Sequence, residues 1–120
     1  MDKLLDELIV YRVYEQDIAQ AYGVGTWYKG VKINAFYDEL ESVLGEPTYI
    51  TPNEDESVYR SWVCRWNSDT YEIYDYNTYS EDYTLNYLRL WNVGGSEGSD
   101  AHEFAQMIEQ AIKQNKNGIN

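Results

Sequence analysis

A single cysteine and a single histidine stand among the 120 residues of this chain. With Cys64 alone, an intrachain disulfide is excluded, and a reducing compartment is expected. One Cys and one His, His102, are too few for a zinc site built from those ligands. Basic residues are also scarce. Nine Lys and Arg against 21 Asp and Glu leave a formal net charge of −12. That balance opposes direct binding to nucleic-acid phosphates and to anionic membranes. No apolar run is long enough to span a bilayer, and Met1-Asp2-Lys3 leads straight into an acidic amphipathic stretch instead of a leader peptide. A soluble, cytoplasmic protein is the expectation.

What is present suffices for a modest core. The chain is 43% hydrophobic and carries four Trp, so wholesale disorder is not expected despite the charge. The length predicts one domain. Within it we expect an N-terminal helical segment over 1–22, a core over 26–116 and a frayed tail over 117–120.

The spacing of Leu4, Leu5, Leu8, Ile9, Arg12 and Ile18 predicts a helix from Asp2 to about Tyr22. The competing reading is a strand from Leu8 to Tyr14, which is rich in β-branched and aromatic residues. After Gly23-Val24-Gly25, Trp27 to Ile33 reads as a short strand. Asn34 is a candidate cap for a second helix through Leu44, ended by Gly45 and Pro47. Val58 to Trp66 and Thr70 to Tyr76 read as a hairpin about the turn Asn67-Ser68-Asp69. Leu85 to Val93 is a further strand. Ser99 or Asp100 caps a last helix with Phe104, Met107, Ile108 and Ala111 on one face. Helices flanking a run of antiparallel strands give an α+β fold, with three to four strands, helices on one face and an extra N-terminal helix. Trp62, Trp66, Ile73, Trp91 and Val93 should form the core with Leu40, Leu44, Phe104 and Ile108.

Candidate chemistry is thin. A Cys–His enzyme would need Cys64 to meet His102, but Cys64 shares strand parity with Trp62 and Trp66, as a buried small hydrophobe does. Neither Glu54-Asp55-Glu56 nor Glu81-Asp82 has the offsets of a calcium loop. With so many acids, some carboxylate pair always has a glycosidase-like spacing. The stretch Gly94 to Gly98 precedes a helix, yet it lacks the Lys of a phosphate-binding loop, and Glu97 and Asp100 would repel an anion. No catalytic residue, metal ligand or cofactor is therefore assigned.

The most informative stretch lies between Glu54 and Tyr83, where carboxylates and phenols interleave: Glu54, Asp55, Glu56, then Glu72, Tyr74, Asp75 and Tyr76, then Tyr79, Glu81, Asp82 and Tyr83. Tyr supplies rigid contact area with a hydroxyl. Carboxylate rows attract basic protein grooves. These residues are the expected contact surface for a partner. In strand parity Ile73 should point inward and Tyr74 and Tyr76 outward. Asp75 then falls on the inward side and needs a strand end, a bulge or an Arg.

The set Trp27…Gly30, Tyr37-Asp38-Glu39-Leu40…Leu44-Gly45-Glu46-Pro47, Trp62, Ile73-Tyr74-Asp75-Tyr76 and Trp91-Asn92-Val93-Gly94-Gly95 resembles a family of small acidic phage and mobile-element proteins. The resemblance covers about 27–112 and carries no catalytic residues with it. It implies an anti-defence role, as in anti-CRISPR inhibitors and DNA mimics. The expected partner is then a host defence protein with a basic groove, a CRISPR effector or another nuclease, in the cytoplasm of a bacterial host. Other readings remain open: a sponge that stacks a signalling nucleotide and uses Arg60, Arg65 or Arg89, a toxin-neutralising immunity protein, or a small hydrolase.

Overall fold

A computed structural model describes residues 7–23, 26–50, 60–75 and 89–117. Within them lie six strands and three helices: β1 (Ile9–Val10), a 3-10 turn (Val13–Glu15), α1 (Gln16–Gly23), β2 (Trp27–Ala35), α2 (Tyr37–Leu44), β3 (Tyr49–Ile50), β4 (Arg60–Trp66), β5 (Asp69–Tyr74), β6 (Arg89–Gly95) and α3 (Ala101–Asn117). The strands form one antiparallel sheet in the order β1-β4-β5-β6-β2, with β3 also paired to β4. The α+β class is the one the sequence predicts. The sheet is wider than the three to four strands expected, because β1 and β3 share one edge of β4, two residues each.

Strand parity sorts the side chains onto two faces. Trp62 and Cys64 stand opposite Ile73 and Tyr71, and Ile73 stands opposite Val93. With Val31, Ile33 and Trp91 they line the face covered by α2 and α3. All of the expected core residues are buried there, and Leu40, Leu44, Phe104 and Ile108 pack on them. Aromatic rings fill most of this volume. Trp62 and Trp91 meet edge to face at 5.4 Å, and Tyr71 stacks on Phe104 at 4.2 Å. Each buried indole of the first pair has an acceptor: Trp62 Nε1 donates to Gly45 O and Trp91 Nε1 to Ala35 O. Such bonds lift the desolvation cost that an enclosed N–H otherwise carries.

The other face carries Ser61, Val63, Glu72 and Tyr74, and α1 lies over β4 and β5 there. Ala19 of α1 closes a small second core with Tyr11 and Val63. α1 is the extra N-terminal helix, and it sits on the face opposite α2 and α3. One expectation is corrected: the described part of the N-terminal segment is not one long helix, since Ile9–Val10 is a strand on β4, within the competing strand reading, and the helix begins only at Gln16. Residues 1–6 of the expected helix lie outside the described residues. Local helical spacing loses here to the unpaired edge of β4, which Tyr11 N–H also engages through Val63 O at 3.0 Å.

The helix starts differ in part from the expected caps. Asn34 lies within β2, and α2 starts after Phe36, whose N–H donates to Glu39 Oε1 at 2.9 Å. This is the return half of a capping box. Asp100 does cap α3, its Oδ1 accepting the Glu103 N–H at 3.0 Å. At the other end of α2, Gly45 has a φ of +82°, and a side chain there would collide with the Arg12 guanidinium. Arg12 Nη1 donates to Leu44 O at 3.0 Å, placing a cation at the negative end of the helix dipole. Of the expected frayed tail over 117–120, Asn117 belongs to α3, and 118–120 lie outside the described residues.

Candidate acidic binding end

One end of the sheet brings together the places where the acidic segments join the scaffold. Ile50 pairs with Arg60, and Ala35 pairs with Arg89. Asp75 N–H donates to Arg60 O at 3.2 Å, and Arg60 N–H donates to Asp75 Oδ1 at 2.7 Å. Residues 51–59 therefore join the sheet at the start of β4. Residues 76–88 join it after β5 and before β6, at the same end. The Asn67–Ser68 turn lies at the opposite end.

A polar floor underlies this end. The Arg60 guanidinium stacks over the Tyr37 ring at 5.0 Å. Tyr37 Oη donates to Glu41 Oε2 at 3.3 Å. Burial, then the neighbouring Glu41 carboxylate, pushes the Tyr37 hydroxyl up to about 12, against the pull of Arg60. Tyr37 therefore stays neutral and acts as a hydrogen-bond donor. Arg60 breaks the apolar parity of β4, which marks it in the sequence. Its ring partner is 23 positions away and carries no sequence signal of the pairing.

The predicted contact residues divide into two groups. Glu54, Asp55, Glu56, Tyr76, Tyr79, Glu81, Asp82 and Tyr83 lie outside the described residues. Glu72, Tyr74 and Asp75 are described. Asp75 is fully buried and serves the Arg60 amide at the strand end. It is not a surface contact. The strand end is one of the resolutions the parity argument allowed, and there the carboxylate accepts from the Arg60 backbone N–H. Glu72 is half-buried beneath the α1 side of the sheet, with Oε2 accepting from Ser61 Oγ at 2.5 Å. Desolvation raises its carboxyl above the ordinary range, opposed by hydrogen bonds from the Ser61 and Thr26 hydroxyls. Glu72 is a scaffold group and not a free contact. Tyr74 is half-buried on the face opposite the fully buried Ile73, as expected.

Cys64 is fully buried, and burial, then the nearby Glu72 carboxylate, drives its thiol far above the usual range. It is no thiolate at neutral pH. His102 is exposed on the first turn of α3. Gly94 and Gly95 belong to β6 and do not form a loop, and Asp100 occupies a helix donor that a phosphate would need. Among the described residues no cluster of three or more His, Cys, Asp or Glu is placed to hold a metal ion, and no helix is long and apolar enough to cross a membrane. Of the Arg residues expected to line a nucleotide pocket, Arg60 is buried against the Tyr37 ring, and Arg65 donates to Ser68 O at the opposite end of β4. Compared with family models, curated proteins and solved structures, the chain matches none.

Proposed function

We propose that this chain is a non-enzymatic binding protein that presents carboxylates and tyrosines from one end of its sheet to a basic surface on a partner protein. The observation that carries the reading is the shared attachment of the two acidic segments. Glu54-Asp55-Glu56 and Glu81-Asp82 lie in separate stretches of sequence, yet both stretches join the scaffold between Ile50, Arg60, Asp75 and Arg89. The formal charge of −12 supports the same partner chemistry. A field of this sign steers a cationic groove toward the protein and repels nucleic acid. Tyr residues beside the carboxylates are suited to be the desolvated anchors. The resemblance to small phage proteins supports a nucleic-acid-binding defence protein as that partner, with the acidic end occupying its groove as a DNA mimic.

The reading is tested by pull-down from bacterial lysate at about 50 mM and about 500 mM salt, spanning weak and strong screening. The expected outcome is a basic protein retained at low salt and released at high salt. Reversing Glu54, Asp55 and Glu56 to Lys should slow its association, because rim charges act mainly on encounter. Retention that ignores both the salt and the triple reversal sinks the acidic-mimic reading.

A further inference from the structure

No carboxylate occurs between Asp17 and Asp38, although the chain carries 21 of them. The middle of that interval is β2, the nine-residue strand at one end of the sheet order. β2 pairs with β6 on one side, and among the described residues no strand pairs with its outer side. Its two lysines are held in place. Lys29 Nζ lies 4.0 Å over the Trp27 ring, and Lys32 Nζ lies 5.2 Å over the Tyr28 ring while donating to Asn92 Oδ1 at 2.8 Å. Trp27 and Tyr28 are themselves about half exposed, at 51% and 45%. The register shifts between Tyr28 and Val31, so Lys29 and Gly30 form a bulge, and Gly30 has a φ of +77° with open space where a Cβ would stand.

Edge lysines and bulges commonly keep strands of neighbouring molecules apart. A guard of that kind works through solvated, mobile ammonium groups. Here both groups are folded back over rings of their own strand, and among the described residues no strand pairs with the edge from Val31 to Ala35. Ordered cations and half-exposed rings also lose little freedom when a ligand arrives.

We propose that the outer edge of β2 is a docking strand for an extended segment of a partner protein that carries one or two carboxylates. The segment adds to the sheet through main-chain hydrogen bonds and sets its register by pairing its carboxylates with Lys29 and Lys32. Charge complementarity selects this occupant. A second copy of β2 would bring two more lysines and no acid. A nucleic acid would meet only two lysines on a molecule of net charge −12. The proposal rests on the β2 edge alone and stands or falls separately from the acidic end.

The test uses the full-length, isotopically labelled protein and two synthetic ten-residue peptides of alternating valine and threonine. One carries two glutamates and its twin carries two lysines at the same positions. Amide chemical shifts are followed during titration. The expected result is shift changes along Trp27–Ala35, with the glutamate peptide binding about tenfold tighter than its twin, on the scale of cross-strand charge pairs. The double variant Lys29→Glu/Lys32→Glu should reverse that preference while its amide spectrum away from β2 stays that of the folded wild type. Equal binding of both peptides, shifts confined to other strands, or no shifts at millimolar peptide would overturn the proposal. So would a concentration-dependent dimer, detected by sedimentation, that protects the same amides without peptide.

Discussion

On the α2–α3 face, Trp62, Ile73, Trp91 and Val93 meet Phe104 and Ile108 in one continuous apolar cluster. On the α1 face, Tyr11, Ala19 and Val63 form a cluster of three, and hydrogen bonds do most of the joining. Thr48 Oγ1 donates to Tyr11 O at 2.6 Å and accepts the Val63 N–H at 3.0 Å. Gln16 Nε2 donates to Thr48 O at 3.0 Å, and Tyr49 Oη donates to Gln16 O at 3.1 Å. One sheet thus has a face held mainly by buried area and a face held mainly by polar stitches that join the N-terminal segment to Thr48, Tyr49 and Val63. Area tolerates imperfect geometry, whereas a buried stitch fails when one partner goes.

The comparison breaks most visibly at Trp62. Trp62→Ala removes a fully buried indole and its bond to Gly45 O. It should cost about 3–5 kcal/mol in chemical denaturation. A loss under about 1 kcal/mol would mean that the face does not depend on its aromatic packing.

Thr48→Val tests the other face. It keeps shape and volume but leaves the Val63 N–H and Tyr11 O without the hydroxyl that serves both. The expected loss is about 1–3 kcal/mol. Hydrogen exchange should quicken at Tyr11 and along β1 while the amides of β6 keep their protection. Uniform exchange across both faces would show that the N-terminal segment is not a separate polar layer.

The same contrast explains what was legible in the sequence. The α2–α3 face announces itself by period: Trp62, Cys64 and Trp66 share one strand parity, and Phe104, Met107, Ile108 and Ala111 recur at helical spacing. Such patterns are local and need no knowledge of the partner. The α1 face depends on Thr48, an ordinary loop residue in sequence, meeting Tyr11 across 37 positions. No periodicity encodes that meeting, so the N-terminal segment reads as a helix although it becomes an edge strand first. At the acidic end, the parity of Asp75 correctly signals an inward carboxylate. The residue that receives it is fixed by the strand register, which the sequence of β5 alone does not contain.

Glu72 sharpens the comparison through pH. Burial raises its carboxyl above the ordinary 4.5. The folded protein therefore keeps this proton over a window in which the unfolded chain has released it. The stability Glu72 contributes is full below the unfolded pKa and is lost as pH rises through the raised folded value. Glu72→Gln removes that titration. The stability of wild type relative to the variant should fall as pH climbs from 4.5 toward neutrality. The total change should be smaller than that of Thr48→Val, because the ionised carboxylate keeps the Ser61 and Thr26 hydroxyls. A pH-independent difference would show that Glu72 is solvated and not enclosed beneath the α1 side.

The smallest expected effect lies on neither face and calibrates the others. β4 and β5 are joined by Asn67 and Ser68, with φ of 53° and 68°. Both residues occupy the left-handed region, as a two-residue type I′ hairpin turn requires. Asn tolerates that region, but a Ser Cβ crowds the following carbonyl there. Ser68→Gly removes the crowding and keeps the Arg65 Nη2 bond to the residue 68 carbonyl, since that acceptor is backbone. Glycine also gives the unfolded chain more freedom, which offsets part of the gain. The net expectation is a stabilisation of about 0.5–1 kcal/mol, read as a higher denaturation midpoint at unchanged slope. Because Ser68 is exposed in the turn at the far end of the hairpin from Trp62 and Ile73, its gain should add to the loss from either variant. A Ser68→Gly gain that vanishes in the Thr48→Val background alone would show that the turn and the polar face are one cooperative unit, and would redraw the boundary between the two regions.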